Sequence, residues 1–176
     1  MTGSVSRERT LARSRLQVEV QIAARSPWVP AAADLRRWAR AAYAAVEGGH
    51  PAGSQKSALC IRVVGKTAGR SMNLRFRGID KPTNVLSFPA SDEEQQFDGA
   101  LGDLVICAPV VAREARQQNK KMLAHWAHMV VHGVLHLLGY DHQDDSHARA
   151  MERLEVEILH GFGYQNPYVS VIDATA

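Results

Sequence analysis

The stretch His132-Gly133-Val134-Leu135-His136-Leu137-Leu138-Gly139-Tyr140-Asp141-His142 decides how the rest of the chain is read. Three imidazoles sit among apolar residues, which costs free energy unless the rings share a partner. His132 and His136 are four residues apart, so on a helix they share one face, about 6 Å apart along the axis. Two ring nitrogens at that separation can converge on one ion at about 2.0–2.1 Å each. His128 shares the stripe but sits one turn too far along, so the third ligand must come from beyond the helix end. Gly139 is placed to end the helix in a left-handed cap, after which the chain turns back and presents His142. The expectation is one zinc ion per chain, held by three imidazoles with a fourth position open to water. The spacing H-x-x-x-H-x-x-G-x-x-H is shared with metzincin proteases, where a Glu after the first His is the general base. Here that position is Gly133, so peptide hydrolysis lacks its proton acceptor.

Working outward, the ligand helix spans about 123–138, with Met129, Val130, Leu135 and Leu138 as packing residues. Pro109 opens a preceding helix that runs to about 118. A last helix over about 146–159 buries Met151, Leu154, Ile158 and Leu159, with Asp144 or Asp145 as its cap. Leu16, Val18, Val20 and Ile22 alternate with polar residues as in a half-buried strand, and further strands are expected at 58–64, 85–88 and 101–107. Residues 31–47 have helical spacing, with Arg36, Arg37 and Arg40 turned outward, and a short helix ends at Gly78. The acidic stretch 90–99 is expected to be a loop or hairpin connection. The order β-α-β-α-β-β-α-α-α predicts a single α+β domain, a small mixed sheet covered by helices. Its bounds are 16–165, after a disordered basic extension (1–15, with Arg7, Arg9, Arg13 and Arg15) and before an irregular tail at 166–176.

With 176 residues and 45% hydrophobic content, the chain can bury a sizeable core. No apolar run is long enough to cross a bilayer, and residues 1–15 do not read as a targeting peptide. Cys60 and Cys107 lie in β-branched strand sequence and read as buried free thiols in a reducing cytoplasm. The formal charge of +3 and the pI near 9.1 are mild, but the distribution is uneven. Lys56, Arg62, Lys66, Arg70, Arg75, Arg77 and Lys81 are accompanied by Asp80 alone, whereas 92–103 is acidic. A basic segment beside a metal suits a polyanionic substrate.

Three blocks in consistent order, within about 58–165, resemble the YbeY family of bacterial metal-dependent endoribonucleases. They are 73–89 (N-L-R-F-R-G-I-D-K-P-T-N-V-L-S-F-P), 101–106 (L-G-D-L-V-I) and 124–142, ending in the histidine motif. The resemblance implies a zincin-related fold with a metal-binding helix, and zinc on His132, His136 and His142. It also implies a functional arginine before P-T-N-V-L-S-F-P, which here is Arg77. The implied activity is cleavage of single-stranded RNA, in maturation of the 3′ end of small-subunit ribosomal RNA and in ribosome quality control. The implied partners are ribosomal RNA and the ribosome or small-subunit assembly factors. Asn84 and Ser87 are candidates to line an RNA groove, and Asp103 and His128 to orient a ligand imidazole. His125 and Trp126 are expected to pack near the helix start, with His147 and His160 exposed outside the motif. Direct hydrolysis and attack by the ribose 2′-OH both stay open. Two other readings are a metallopeptidase, favoured by the ligand spacing, and a non-catalytic ribosome-binding protein in which zinc holds the fold. Oligomeric state and native metal are not legible in the sequence.

Overall fold

In the computed structural model, residues 16–24, 28–46, 57–141 and 145–169 are described. The expected basic extension (1–15), Lys56, the end of the tail and His142 lie outside them. The elements run β1 (Leu16–Ile22), α1 (Ala32–Ala45), β2 (Ser57–Val64), α2 (Lys66–Arg77), β3 (Val85–Pro89), α3 (Asp92–Asp98), β4 (Ala100–Cys107), α4 (Ala108–Gln117), α5 (Met122–Leu137) and α6 (Asp145–Gly161). This is the expected order with one addition. The acidic stretch is neither loop nor hairpin but holds helix α3, started by a reciprocal cap between Ser91 and Glu94.

The sheet order is β1-β2-β4-β3, with β1, β2 and β4 parallel and β3 antiparallel on the edge. Alternation along β4 feeds two cores. Leu104 and Ile106 join Leu59, Ile61, Val63, Trp38, Trp126 and Val130 on the face covered by α1 and α5. Val105 and Cys107 turn to the opposite face, with Val64, Leu86 and Met72 of α2. Arg36 and Arg40 do not simply point to solvent: their Nε atoms donate to the Val18 and Leu16 carbonyls, covering the edge of β1.

Helix α5 is the centre of the main core. Eleven of its sixteen residues are buried, so it is apolar around most of its circumference and is packed on several sides. Its end is built as the sequence predicts. Gly139 has φ +90°, the Gly139 N–H donates to the His136 carbonyl, and the Tyr140 N–H donates to the Leu135 carbonyl. That pairing satisfies carbonyls the helix would otherwise leave open, and the left-handed turn suits a residue without Cβ. Among the described residues no helix is long and apolar enough to cross a membrane.

Candidate metal centre

Between His125 and Leu137 every residue of α5 is buried except His132 and His136, which are half-buried. The helix therefore opens to solvent at the predicted pair and is closed on either side of it. The two Nε2 atoms are 3.1 Å apart, with ring centroids 4.5 Å apart and planes at 83°. Two imidazole lone pairs at this distance repel unless a proton or a cation lies between them. Tetrahedral ligands at about 2.0–2.1 Å from one ion stand about 3.3–3.4 Å apart, so the pair fits such an ion with a shift of a few tenths of an ångström.

His132 is oriented from behind. Its Nδ1 lies 2.7 Å from Oε1 of Glu155 on α6, a carboxylate with no solvent exposure. The Tyr168 hydroxyl donates to Oε2 of the same carboxylate, and His128 Nε2 is 3.5 Å from that oxygen. Burial pushes the Glu155 carboxyl up, but the contacts with His128, His132 and Tyr168 outweigh it and hold the group at about 2. Burial and the Glu155 carboxylate together raise the Tyr168 phenol well above its ordinary range. An ionised Glu155 takes the Nδ1 proton of His132 as its partner and leaves the Nε2 lone pair aimed at His136. His128, His132 and Glu155 are themselves a group that could hold a metal ion, with donor atoms within 4.8 Å of one another. The two arrangements share His132.

Gly133 explains why the metzincin base has no counterpart. A Cβ there would lie 2.8 Å from Leu104 Cδ2 and 3.3 Å from Val85 Cγ2, with both side chains on strands packed against α5. The Gly133 carbonyl accepts from Ser87 Oγ at 3.3 Å, and the Ser87 carbonyl accepts from Arg77 Nη2 at 3.3 Å. Two hydrogen bonds thus tie the exposed Arg77, at the end of α2, to the residue beside His132. Around it, Arg70 binds Asp80 through two contacts of 2.6 Å. The only acid of the basic segment is thereby occupied, while Lys66, Arg75 and Lys81 stay exposed.

Other sequence-selected residues fall elsewhere. The Asn84 side chain donates to Glu114 at 3.1 Å and accepts from the Val85 N–H, which braces the start of β3. Asp103 does not orient a ligand imidazole: it pairs in register with Cys60 and Phe88, and shares a separate groove with Glu19 and Glu94. Burial, then Glu94 and Glu19, raise its carboxyl above the ordinary range. The carboxylate on His132 is Glu155, which sequence reasoning missed, as it missed Tyr168. The signal for Glu155 was available, because it lies four residues after Met151 and four before Leu159 on the apolar side of α6. His125 and Trp126 are buried and His147 and His160 exposed, as expected.

In comparison with known proteins, the profile of the family described as Endoribonuclease YbeY matches residues 22–163. The solution structure of the Thermotoga maritima protein TM1509 is similar in fold, with a TM-score of 0.55 at 20% identity, covering 87% of this chain and 99% of that one. The match takes in β2, β3, β4 and the whole of α5 and α6, with His132, His136 and Glu155 among its residues, and the chain belongs to the YbeY family of endoribonucleases, metal-dependent hydrolases of ribosomal RNA processing.

Proposed function

We propose that this chain is a zinc-dependent endoribonuclease that cuts single-stranded regions of ribosomal RNA in the cytoplasm. Its work is maturation of the small-subunit 3′ end and ribosome quality control, in contact with the ribosome or small-subunit assembly factors. His132 and His136 are two of the zinc ligands and His142 is the third. The observation that carries this reading is the 3.1 Å approach of the two Nε2 atoms where an otherwise buried stretch of helix, His125 to Leu137, opens to solvent. The alternative group through Glu155 is less suited to catalysis, because that carboxylate is wholly buried and already engaged with Tyr168, His128 and His132. An open site needs a ligand set that faces solvent.

A divalent ion held at this pair supplies Lewis-acid stabilisation of a phosphoryl oxygen and lowers the pKa of water from about 15.7 towards 7. The chain's own groups do the rest. Arg77 holds two phosphoryl oxygens in its planar fork, its position fixed by the Ser87 carbonyl. Lys66, Arg75 and Lys81 attract the strand, and Glu155 keeps the His132 ring in one tautomer and one orientation. A peptidase reading has the ligand spacing in its favour, but position 133 has no room for a carboxylate side chain.

Metal analysis coupled to cleavage of a structured ribosomal RNA precursor tests the proposal. His136→Ala is expected to lose both zinc and cleavage, and undiminished zinc stoichiometry would remove His136 from the ligand set. A 2′,3′-cyclic phosphate at the new end marks attack by the ribose hydroxyl.

A further inference from the structure

Helix α2 rests on the sheet through little of its own surface. Of its twelve residues only Gly69 and Asn73 are buried. Gly69 makes the close approach, since a Cβ there would lie 2.9 Å from Cys107 Sγ, and Asn73 Nδ2 donates to the Lys81 carbonyl at 2.7 Å. The end of the helix and the residues beyond it, 74–81, are exposed throughout. Of the nine large hydrophobic side chains exposed among the described residues, three fall in this run: Leu74, Phe76 and Ile79, each with 46–49% of its surface open. The backbone of a helical residue is covered by its own turn, so the exposure of Phe76 is chiefly that of its ring. Two neighbours hold that ring in place. Phe88 of β3 meets it edge to face, with centroids 5.0 Å apart and planes at 69°, and the Arg75 guanidinium lies over it at 5.2 Å from the centroid.

The charge around the ring has one sign. Asp80 is taken up by Arg70, and among the described residues no carboxylate pairs with Arg75, Arg77 or Lys81. A flat π surface set among unpaired cations matches a single nucleic-acid strand, the ring for a base and the cations for phosphates. An acidic protein segment would use the cations and leave the ring idle. Bases stack on aromatic rings and on guanidinium planes alike, but only when they are unpaired and splayed out of a helix. The ring also stands beside the candidate site. Phe76 immediately precedes Arg77, whose guanidinium donates to the Ser87 carbonyl, and Ser87 Oγ donates to the Gly133 carbonyl next to His132. Phe88 follows Ser87 on the same strand. Strand β3 thus supports the ring and the phosphate-binding arginine at adjacent residues.

We propose that Phe76, backed by Phe88 and Arg75, is a stacking platform for one unpaired base adjoining the phosphate held by Arg77, and so selects single strands over duplex; this rests on the endoribonuclease assignment. The test uses the full-length, zinc-loaded protein with its phenylalanine rings labelled for NMR. Titration with a 2′-O-methyl oligonucleotide is expected to shift the Phe76 ring resonances to saturation. Inorganic polyphosphate of equal charge, a duplex of the same sequence and polyglutamate are expected to move them far less. Phe76→Leu keeps an apolar side chain without a π face, and its affinity for the oligonucleotide is expected to fall about tenfold. The slope of log K against log salt should stay as in the wild type, because no phosphate contact is lost. Phe76→Trp is expected to bind at least as tightly as the wild type. The proposal is overturned if the oligonucleotide leaves the Phe76 ring unmoved, or if polyphosphate, duplex or polyglutamate moves it equally, which would make the patch a plain anion-binding or protein-docking face. It is also overturned if Phe76→Leu binds within about twofold of wild type, if Phe76→Trp binds no better than Phe76→Leu, or if the loss comes with a shallower salt slope, which would mean that the ring only holds Arg77 in place. The wild-type titration decides the matter even where a variant loses stability. A wild type that stacks the oligonucleotide but cuts no RNA would strike the endoribonuclease reading and leave the platform standing.

Discussion

Replacing Glu155 by Gln isolates the group that the structure places behind the metal pair. The substitution keeps size and one acceptor oxygen but removes the charge that faces His132 Nδ1 at 2.7 Å. It also turns an NH2 group towards donors, since Tyr168 and His128 address the same carboxylate from its other oxygen. Loss of such an orienting partner typically lowers metal affinity by about 10–100-fold, which is about 1.4–2.7 kcal/mol of binding free energy. A stability loss accompanies it, because a buried acceptor network is left partly unmade at roughly 1–3 kcal/mol. For a domain of this size that lowers Tm by about 2–4 °C per kcal/mol. Competition for zinc against a chromophoric chelator measures the first quantity, and thermal unfolding of the metal-free protein measures the second. Glu155→Gln that is less thermostable yet binds zinc within about twofold of wild type would refute the orienting role, leaving Glu155 as a packing carboxylate only. Tyr168→Phe, which removes one donor and leaves the charge on Glu155, is expected to shift zinc affinity much less.

Three further outcomes follow from the same geometry. Arg77→Lys keeps the charge but loses the planar fork, so folding and zinc content should hold while kcat/KM falls about tenfold, the worth of one hydrogen bond to a charged group; unchanged turnover would remove Arg77 from phosphate binding. Gly133→Glu, which installs the residue metzincins carry, should cost about 3 kcal/mol or more in urea melts through overpacking against Leu104 and Val85, and a wild-type midpoint would contradict the packing described. Glu114 has its carboxyl held below the ordinary 4.5, burial being outweighed by His125 and Asn84. Its contribution is therefore complete above 4.5 and is lost as pH falls through the lowered folded value. Glu114→Gln should be less stable near neutrality and should lack that part of the acid decline in Tm; parallel curves for the two proteins would dismiss it.

The elements around α5 were legible because each carried its own local cause. The four-residue spacing of His132 and His136 needed only helical periodicity, and Gly139 announced the left-handed turn that the backbone adopts at φ +90°. The apolar run Leu104-Val105-Ile106-Cys107 marked β4 as a strand. What stayed hidden depended on partners distant in the chain. Glu155 meets His132 from 23 residues away, and only its place between Met151 and Leu159 hinted at a buried charge. Asp103, chosen because it stands near a strand start, lost that role to a residue on another helix. Helix α3 was missed for the opposite reason: it buries nothing, so hydrophobic periodicity is silent there, although Ser91 and Glu94 spell its start. Tyr168 falls in a stretch that reads as irregular tail, which it is in backbone terms, and its hydroxyl still reaches Glu155.

The burial of α5 has a consequence for how this protein can change over generations. The rings that face solvent are carried by the same rod on which Trp126, Val130, Val134 and Leu135 assemble the interior. A substitution that re-aims a ring must therefore re-pack the heart of the molecule, and one that loosens the interior must disturb the reaction. Chemistry and foldedness are here under joint selection, and innovation has to arrive by way of the borders, at α2, at β3 and at the segment that follows α6.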